Sequence, residues 1–137
     1  MTKTVTVQTV IKKDLTTVWE RWTKPEHIIN WNSASSDWHT PRAENDLRTG
    51  GTFLCRMEAR DGSAGFDFGG TYDEVIPMSS IAYTMDDGRK VSISFTETEG
   101  GVSIAETFDI ENENPEEMQR AGWQAILDNF RSYTEQA

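Results

Sequence analysis

The last part of the sequence, Asn114 to Tyr133, has the pattern of one long helix, and it constrains the fold more than any other segment. Asn114 suits the helix cap and Pro115 the first helical position, and the acidic pair that follows favours the positive end of the helix dipole. At about 100° per residue, apolar side chains cover roughly two thirds of the circumference. An ordinary surface helix has an apolar stripe of only about 100°. We therefore expect a curved partner that wraps the helix.

Two polar residues, Gln119 and Asn129, fall inside this apolar arc. A polar side chain buried without a partner is unfavourable, so a solid core would not accommodate them well. Their position suggests a cavity between the helix and the structure that wraps it.

The rest of the chain predicts one strand, two short helices and then a series of strands. The alternation at 4–11 indicates the first strand. Asp14 can cap a first short helix, and Thr23 with Glu26 fits a capping box for a second helix that ends near Trp31. A polar loop covers 32–37. Further strands, separated by Gly, Pro and Asp turns, are predicted at 38–43, 52–60, 65–76, 80–85, 90–98 and 102–111.

Strands that follow one another, rather than alternating with helices, indicate an α+β fold with an antiparallel sheet. Pro41 places the 38–43 strand at a sheet edge, and Gly69-Gly70 predicts a bulge or bend in its strand. We expect one domain over residues 1–137, with two short helices after the first strand. Its curved antiparallel sheet of about six or seven strands should wrap around the long C-terminal helix.

The charge balance argues against nucleic acid and anionic membranes as partners. Thirteen Lys and Arg against 23 Asp and Glu give a net charge of −10, which repels phosphate groups. No apolar run has the length of a signal peptide or a membrane span. The single cysteine, Cys55, excludes an internal disulfide and is typical of the cytoplasm. Whether two chains pair as a homodimer is left open.

Metal and cofactor chemistry have little support in the sequence. His27, His39 and Cys55 are the only His and Cys residues, and their spacing matches no zinc site. There is no nucleophile elbow, no dinucleotide fingerprint and no phosphate loop. We expect no metal and no cofactor.

Strand alternation predicts apolar rows that face the helix, with one exception. In the last strand the inward set is Val102, Ile104, Glu106, Phe108 and Ile110. A carboxyl group in such a row is unfavourable unless it is paired or protonated. We expect Glu106 to be held by neutral donors such as Tyr83, Gln119 or water. The candidate ligand-binding residues, on the inner faces and near the opening, are Trp31, Trp38, Phe66, Phe68, Tyr83, Phe95, Glu106, Gln119, Trp123 and Ile126.

Several short motifs, in order along nearly the whole chain, resemble those of a known family. They are Val18-Trp19, Thr23-x-Pro25-Glu26-His27, Trp31, Asp46-Leu47-Arg48-x-Gly50-Gly51, Gly69-Gly70-Thr71-Tyr72-x-Glu74-Val75, Glu106-x-Phe108 and Gly122-Trp123-x-x-x-Leu127-x-x-Phe130. Together they resemble the START-like, Bet v 1-like (SRPBCC) superfamily and, within it, the activator of heat shock protein 90 ATPase homologue family in its bacterial single-domain form.

The resemblance implies a helix-grip fold with a cavity that often takes hydrophobic small molecules, but it implies no shared chemistry. Chaperone-activating members usually carry an additional N-terminal domain, which we expect this chain to lack. The leading hypothesis is a carrier or sensor that binds a hydrophobic or amphipathic small molecule. One alternative is a cyclase- or hydratase-like enzyme that uses Glu106 as acid or base with Tyr83 as a helper. Another is a co-chaperone-like interaction domain.

Overall fold

The computed structural model describes residues 3–33 and 35–136. Met1, Thr2, Ala34 and Ala137 lie outside the described residues, so the predicted loop at 32–37 is described only on either side of Ala34. The element bounds are β1 (Thr4–Ile11), α1 (Leu15–Thr23), α2 (Pro25–Trp31), β2 (Trp38–Asn45), β3 (Thr52–Ala59), β4 (Gly65–Ile76), β5 (Ser80–Met85), β6 (Lys90–Thr98), β7 (Gly101–Asp109) and α3 (Glu116–Gln136).

The strands form one curled antiparallel sheet that half encloses α3. Among the described residues the sheet has seven strands in the order β1-β7-β6-β5-β4-β3-β2. From β2 to β7, each strand pairs with the next one along the chain. β1 pairs with β7 at the other end of the sheet. The predicted α+β architecture is confirmed, and β2, which contains Pro41, lies at the predicted edge.

Strand alternation determines which side chains face the helix. Val102, Ile104, Glu106 and Phe108 of β7 are buried, whereas the residues between them are partly exposed. The Phe108 ring stacks on Trp123 of α3, with centroids 4.1 Å apart and ring planes 7° apart. The concave face of the sheet and one face of α3 therefore form the core.

The buried face of α3 is narrower than its apolar arc. Leu127 and Phe130 are fully buried, but Met118 keeps 60% of its surface exposed. On the polar side, Arg120 Nη1 donates to Thr6 O (3.3 Å) and Gln124 Nε2 donates to Gln8 O (3.1 Å). These bonds cover carbonyl groups of β1, which protects an edge strand from pairing with other chains.

Two helix starts differ from the predicted ones. Lys24, not Thr23, is the N-cap of α2, with no side-chain cap bond. Thr23 closes α1 instead, and its hydroxyl donates to Trp19 O (2.7 Å). In α3 the Pro115 carbonyl accepts the first helical hydrogen bond from Gln119 N (3.1 Å). Pro115 therefore takes the cap position predicted for Asn114.

Gly69 and Gly70 do not form the predicted bulge. Both pair in regular register with β3, and the register shift on the β5 side comes later, between Tyr72 and Glu74. A Cβ on Gly70 would run into the Thr84 carbonyl oxygen, and one on Gly69 would lie 2.9 Å from Phe53 O. The two glycines therefore permit a close approach of neighbouring backbones.

Candidate functional site

A cavity of about 310 Å³ lies between the concave face of the sheet, the two short helices and α3. All three helices and strands β2 to β7 contribute to its wall. Aromatic rings form much of that wall, including Trp22 from α1, Phe53 from β3 and Tyr72 from β4. Rigid aromatic and aliphatic walls with few polar groups are typical of small-molecule sites.

The structure brings together most of the residues proposed from the sequence. The cavity is lined by Trp31, Phe66, Phe68 and Tyr83, and by Glu106, Trp123 and Ile126. Phe66 lies at the rim and keeps 51% of its surface exposed.

Three of the proposed residues lie elsewhere. Trp38 packs on Phe66, with ring centroids 5.8 Å apart, outside the cavity wall. Phe95 is buried in the core against Trp19 (5.2 Å) and Trp22 (5.7 Å). Gln119 binds the loop before α3, as described next.

Neither polar residue of the apolar arc reaches the cavity, so Gln119 and Asn129 do not mark it as predicted. The Gln119 side chain accepts from Glu111 N (2.9 Å) and donates to Glu111 O (3.0 Å) and Asn114 O (2.8 Å). Asn129 is exposed and donates to Ser33 O. Both residues fasten a loop to α3. A cavity exists nonetheless, because the sheet curls away from the helix.

Glu106 extends from the middle of β7 into the cavity, with only 6% of its surface exposed. Among the described residues, none hydrogen-bonds to or forms an ion pair with its carboxyl group, and Arg56, on the opposite face of β3, binds Glu58 and Asp67 instead. Burial alone raises the pKa of Glu106 to about 8. At neutral pH the side chain is therefore an uncharged carboxylic acid.

Tyr83, from β5, is the second polar group without a described partner. Burial, with the nearby Glu106 charge as the next cause, raises the pKa of its hydroxyl well above the ordinary value. Arg89, directly before β6, also lines the cavity, and its charge lowers the Tyr83 pKa. Its Nε donates to Asp87 (2.8 Å), so the guanidinium is already engaged at the rim. Arg89 was not among the predicted site residues, although it shares the inward parity of Val91 in the sequence.

A different polar chain closes another part of the wall. Tyr72 OH donates to Asn45 Oδ1 (2.5 Å), and Asn45 Nδ2 donates to Thr23 O (2.6 Å). The chain joins β4, β2 and the end of α1. No sequence pattern pointed to Asn45, because its role depends on how the edge strand meets the helix.

The short helices are tied to α3 and to each other by contacts whose partners, apart from Trp31, lie outside the cavity lining. His27 Nδ1 and Tyr133 OH are 2.6 Å apart, and Trp31 Nε1 donates to Arg21 O (2.9 Å). These contacts fix the aromatic part of the wall that α2 supplies.

Within residues 3–33 and 35–136, no three His, Cys, Asp or Glu side chains are placed to hold a metal ion. In the same part of the chain, no helix is long and apolar enough to cross a membrane.

A curled antiparallel sheet that grips a long C-terminal helix, with a cavity between them, defines a helix-grip domain of the START-like, Bet v 1-like superfamily. The chain belongs to the family of activator of Hsp90 ATPase homolog 1-like proteins, whose family model matches residues 14–135. The motifs from Val18 to Phe130 indicate the same family.

Solved structures agree with this assignment. A protein from Cytophaga hutchinsonii is 51% identical over 96% of this chain and 92% of its own, with a TM-score of 0.84. An AHSA1-like protein from Aeromonas hydrophila is 44% identical over 98% of this chain and 93% of its own, with a TM-score of 0.92. A protein from Nitrosomonas europaea, 20% identical over 97% and 94% of the two chains with a TM-score of 0.85, shows the fold alone. No functionally curated protein matches significantly.

Proposed function

We propose that the chain is a small-molecule-binding domain, a carrier or sensor that takes a hydrophobic or amphipathic ligand into the cavity. The observation that carries the proposal is the aromatic cavity whose wall holds two polar groups, Glu106 and Tyr83, that have no partner among the described residues. Aromatic walls supply apolar contact, and a few polar groups orient the ligand. The single cysteine, Cys55, supports the cytoplasm as the proposed compartment, because its thiol stays reduced there.

The size of the cavity limits the ligand. A volume of about 310 Å³ is at the lower end of the range of about 300–1,000 Å³ for ligand sites. A compound of two or three fused rings suits it better than a long lipid chain.

The proposal is tested by filling the cavity. Ile126→Trp places an indole in the space that Ile126 lines, whereas Ile29→Trp adds the same ring on α2 at an exposed position outside the cavity. A ligand at a hundredfold excess over Kd stabilises the fold by about 2.7 kcal/mol. We expect two-ring apolar compounds to raise the melting temperature of the parent and of Ile29→Trp, but not of Ile126→Trp. Equal shifts in all three proteins would place binding outside the cavity.

Native mass spectrometry of the protein purified from its own host identifies a natural ligand. We expect a retained small molecule that is lost after denaturation. It should also be absent from Ile126→Trp expressed in the same cells.

Acid–base catalysis is the second candidate, favoured by the pKa of Glu106. A value of about 8 is close to neutral pH, where a general acid or base is most effective. With a retained ligand in hand, product formation by the parent, abolished in Glu106→Gln while the ligand still binds, would indicate an enzyme. Binding without turnover in the parent supports the carrier or sensor.

A further inference from the structure

Two hydroxyl-bearing groups approach the same part of the cavity from different strands. Glu106 lies beside Ile93 of β6, and Tyr83 lies beside Val91 of the same strand, one inward position away. Both side chains line the cavity, and the charge of Glu106 is among the causes that raise the Tyr83 pKa. The two groups therefore face the same cavity from the strands on either side of β6, within electrostatic range of each other, and no hydrogen bond joins them.

Both groups carry a proton and lack a described acceptor. An uncharged carboxylic acid donates one hydrogen bond and a phenol donates another. Buried donors without a partner are unfavourable, and the great majority in folded proteins are satisfied by protein or by water. Two such donors that face one largely apolar cavity from the strands on either side of β6 match a ligand atom placed between them that can accept two hydrogen bonds.

We infer that this pair is a recognition subsite for a carbonyl-type oxygen of an uncharged ligand, such as an aromatic ketone, which accepts hydrogen bonds from Glu106 and Tyr83 at once. The inference rests on the proposed function and specifies the class of ligand. A carbonyl oxygen has two lone pairs, so one atom satisfies both donors.

Other polar ligands fit less well. An ammonium ion would require Glu106 to ionise in an apolar wall and would lie in the same cavity as the Arg89 guanidinium. A carboxylate would add a buried anion beside Glu106, and Arg89 is already bonded to Asp87. Isolated buried charges are strongly disfavoured. An uncharged acceptor satisfies the two donors without adding a charge.

The subsite has a distinct pH dependence. The titratable or charged groups that line the cavity are Cys55 on β3, Tyr72 on β4, Tyr83 on β5, Arg89 in the turn before β6 and Glu106 on β7, while the described lining of α1, α2 and α3 adds none. Burial raises the pKa of Cys55 to about 11 and of Glu106 to about 8. Glu106 is thus the group that loses its proton near pH 8, and with it the donor. Ketone affinity should be constant below pH 7.5 and fall above pH 8.5.

The test compares three compounds of the same shape, 1-tetralone, tetralin and 1-aminotetralin, by isothermal titration calorimetry between pH 6.5 and 9.5. We expect 1-tetralone to bind the parent most tightly. Tyr83→Phe should weaken 1-tetralone binding about fivefold, the loss of one neutral hydrogen bond, and leave tetralin unchanged. Tyr133→Phe is the matched control, because the Tyr133 hydroxyl contacts His27 away from the cavity. Glu106→Gln keeps a donor and should abolish the pH dependence.

An infrared measurement reports the hydrogen bonds directly. The carbonyl stretch of bound 1-tetralone should lie at lower frequency in the parent than in Tyr83→Phe. If tetralin binds as tightly as 1-tetralone, or 1-aminotetralin binds best, the subsite is wrong while the proposed binding function stands. If none of the three compounds binds the parent, both the subsite and the binding function are contradicted.

Discussion

Glu106 is the residue at which the sheet departs from a purely apolar interior. The residues beside it on the inward side of β7 are Ile104 and Phe108, both fully buried. A carboxyl group among them is compatible with folding because it can remain protonated, and this links stability to pH.

Replacing Glu106 by Gln should remove that link. Burial raises the Glu106 pKa from 4.5 to about 8. Between these values the folded protein holds a proton that the unfolded chain has lost, so the free energy of unfolding falls as pH rises. The free energy of unfolding of Glu106→Gln should equal that of the parent below pH 4.5. Between pH 4.5 and about 8 the variant should become steadily more stable than the parent, and above pH 8 it should remain more stable by several kcal/mol. Urea denaturation of both proteins across this range measures the difference, and a difference that does not change with pH would show that Glu106 is ionised in the folded protein.

Met78, in the turn between β4 and β5, is in a backbone conformation that normally favours glycine. Its φ is 64°, and Ser79 N donates to Ile76 O (3.0 Å), as in a turn with Pro77 at the second position and a positive φ at the third. An L-residue in the left-handed region destabilises the fold by about 1–2 kcal/mol. Glycine avoids this cost, but about 0.5–1 kcal/mol of the benefit is lost because glycine gives the unfolded chain more conformational entropy. We expect Met78→Gly to stabilise the fold by about 0.5–1 kcal/mol in chemical denaturation. Met78→Ala keeps the Cβ and should bring no such gain, and equal stability of the two variants would argue against strain at Met78.

The side chains that could be predicted from the sequence are those whose direction the backbone fixes. Strand alternation assigns Tyr83 and Glu106 to the inner face, and both lie there. Helix periodicity places Gln119 in an apolar arc, but it cannot show that a loop folds back to meet this amide. Trp38 was misplaced for a similar reason, because its position depends on how β2 twists at the free edge.

At the scale of elements, the connection from β7 to α3 depends on Gln119. The side chain is buried and makes hydrogen bonds to both polar backbone groups of Glu111 and to Asn114 O. This arrangement sets the direction in which α3 leaves the sheet.

Gln119→Leu should therefore destabilise the protein without changing its shape. The substitution keeps the side-chain volume but leaves backbone groups without partners, each at about 1–3 kcal/mol where water cannot replace the amide. Gln124→Leu, in the same helix but bonded at an exposed position, should cost less than about 0.5 kcal/mol. Denaturation midpoints of the two variants measure the contrast. Similar losses of stability in both variants would mean that the hydrogen bonds of Gln119 to the loop contribute no more than those of an exposed helix residue.

The bounds of the elements could be predicted well where turn residues mark them. The strands at 65–76, 80–85 and 90–98 have the predicted ends, because Gly, Pro and Asp favour turn conformations there. The start of α3 was displaced, since Asn114 and Pro115 are both acceptable caps and the loop before them decides between the two. Of the predicted bulge or bend at Gly69-Gly70, the bulge is absent, because glycine is as suitable for close strand contact as for bulges.

At the scale of the whole molecule, α3 and the sheet depend on each other. Phe108 of β7 stacks on Trp123 of α3, and Phe130 of α3 packs at 4.8 Å from Trp22 and 4.9 Å from Trp31. The long helix thus joins the sheet to both short helices.

A chain that ends at Asn112 should not fold. Removing α3 exposes the concave face of the sheet, and the apolar area lost is far larger than the marginal stability of a domain of this size can sustain. We expect this truncated chain to be insoluble or to melt without a cooperative transition in circular dichroism. A soluble truncated chain with a sharp melt would contradict the interdependence of sheet and helix.

The measurement that tests the central claim most directly uses the five tryptophans as reporters. Trp22, Trp31 and Trp123 line the cavity, whereas Trp19 packs in the core and Trp38 lies outside the cavity. Indole N–H resonances of the ¹⁵N-labelled protein can be followed during titration with 1-tetralone and related two-ring compounds. A ligand in the cavity should move the resonances of Trp22, Trp31 and Trp123 along one saturable curve, with much smaller shifts at Trp19 and Trp38. Unchanged resonances for every compound, or a largest shift at Trp38, would contradict the proposal that this cavity is the binding site.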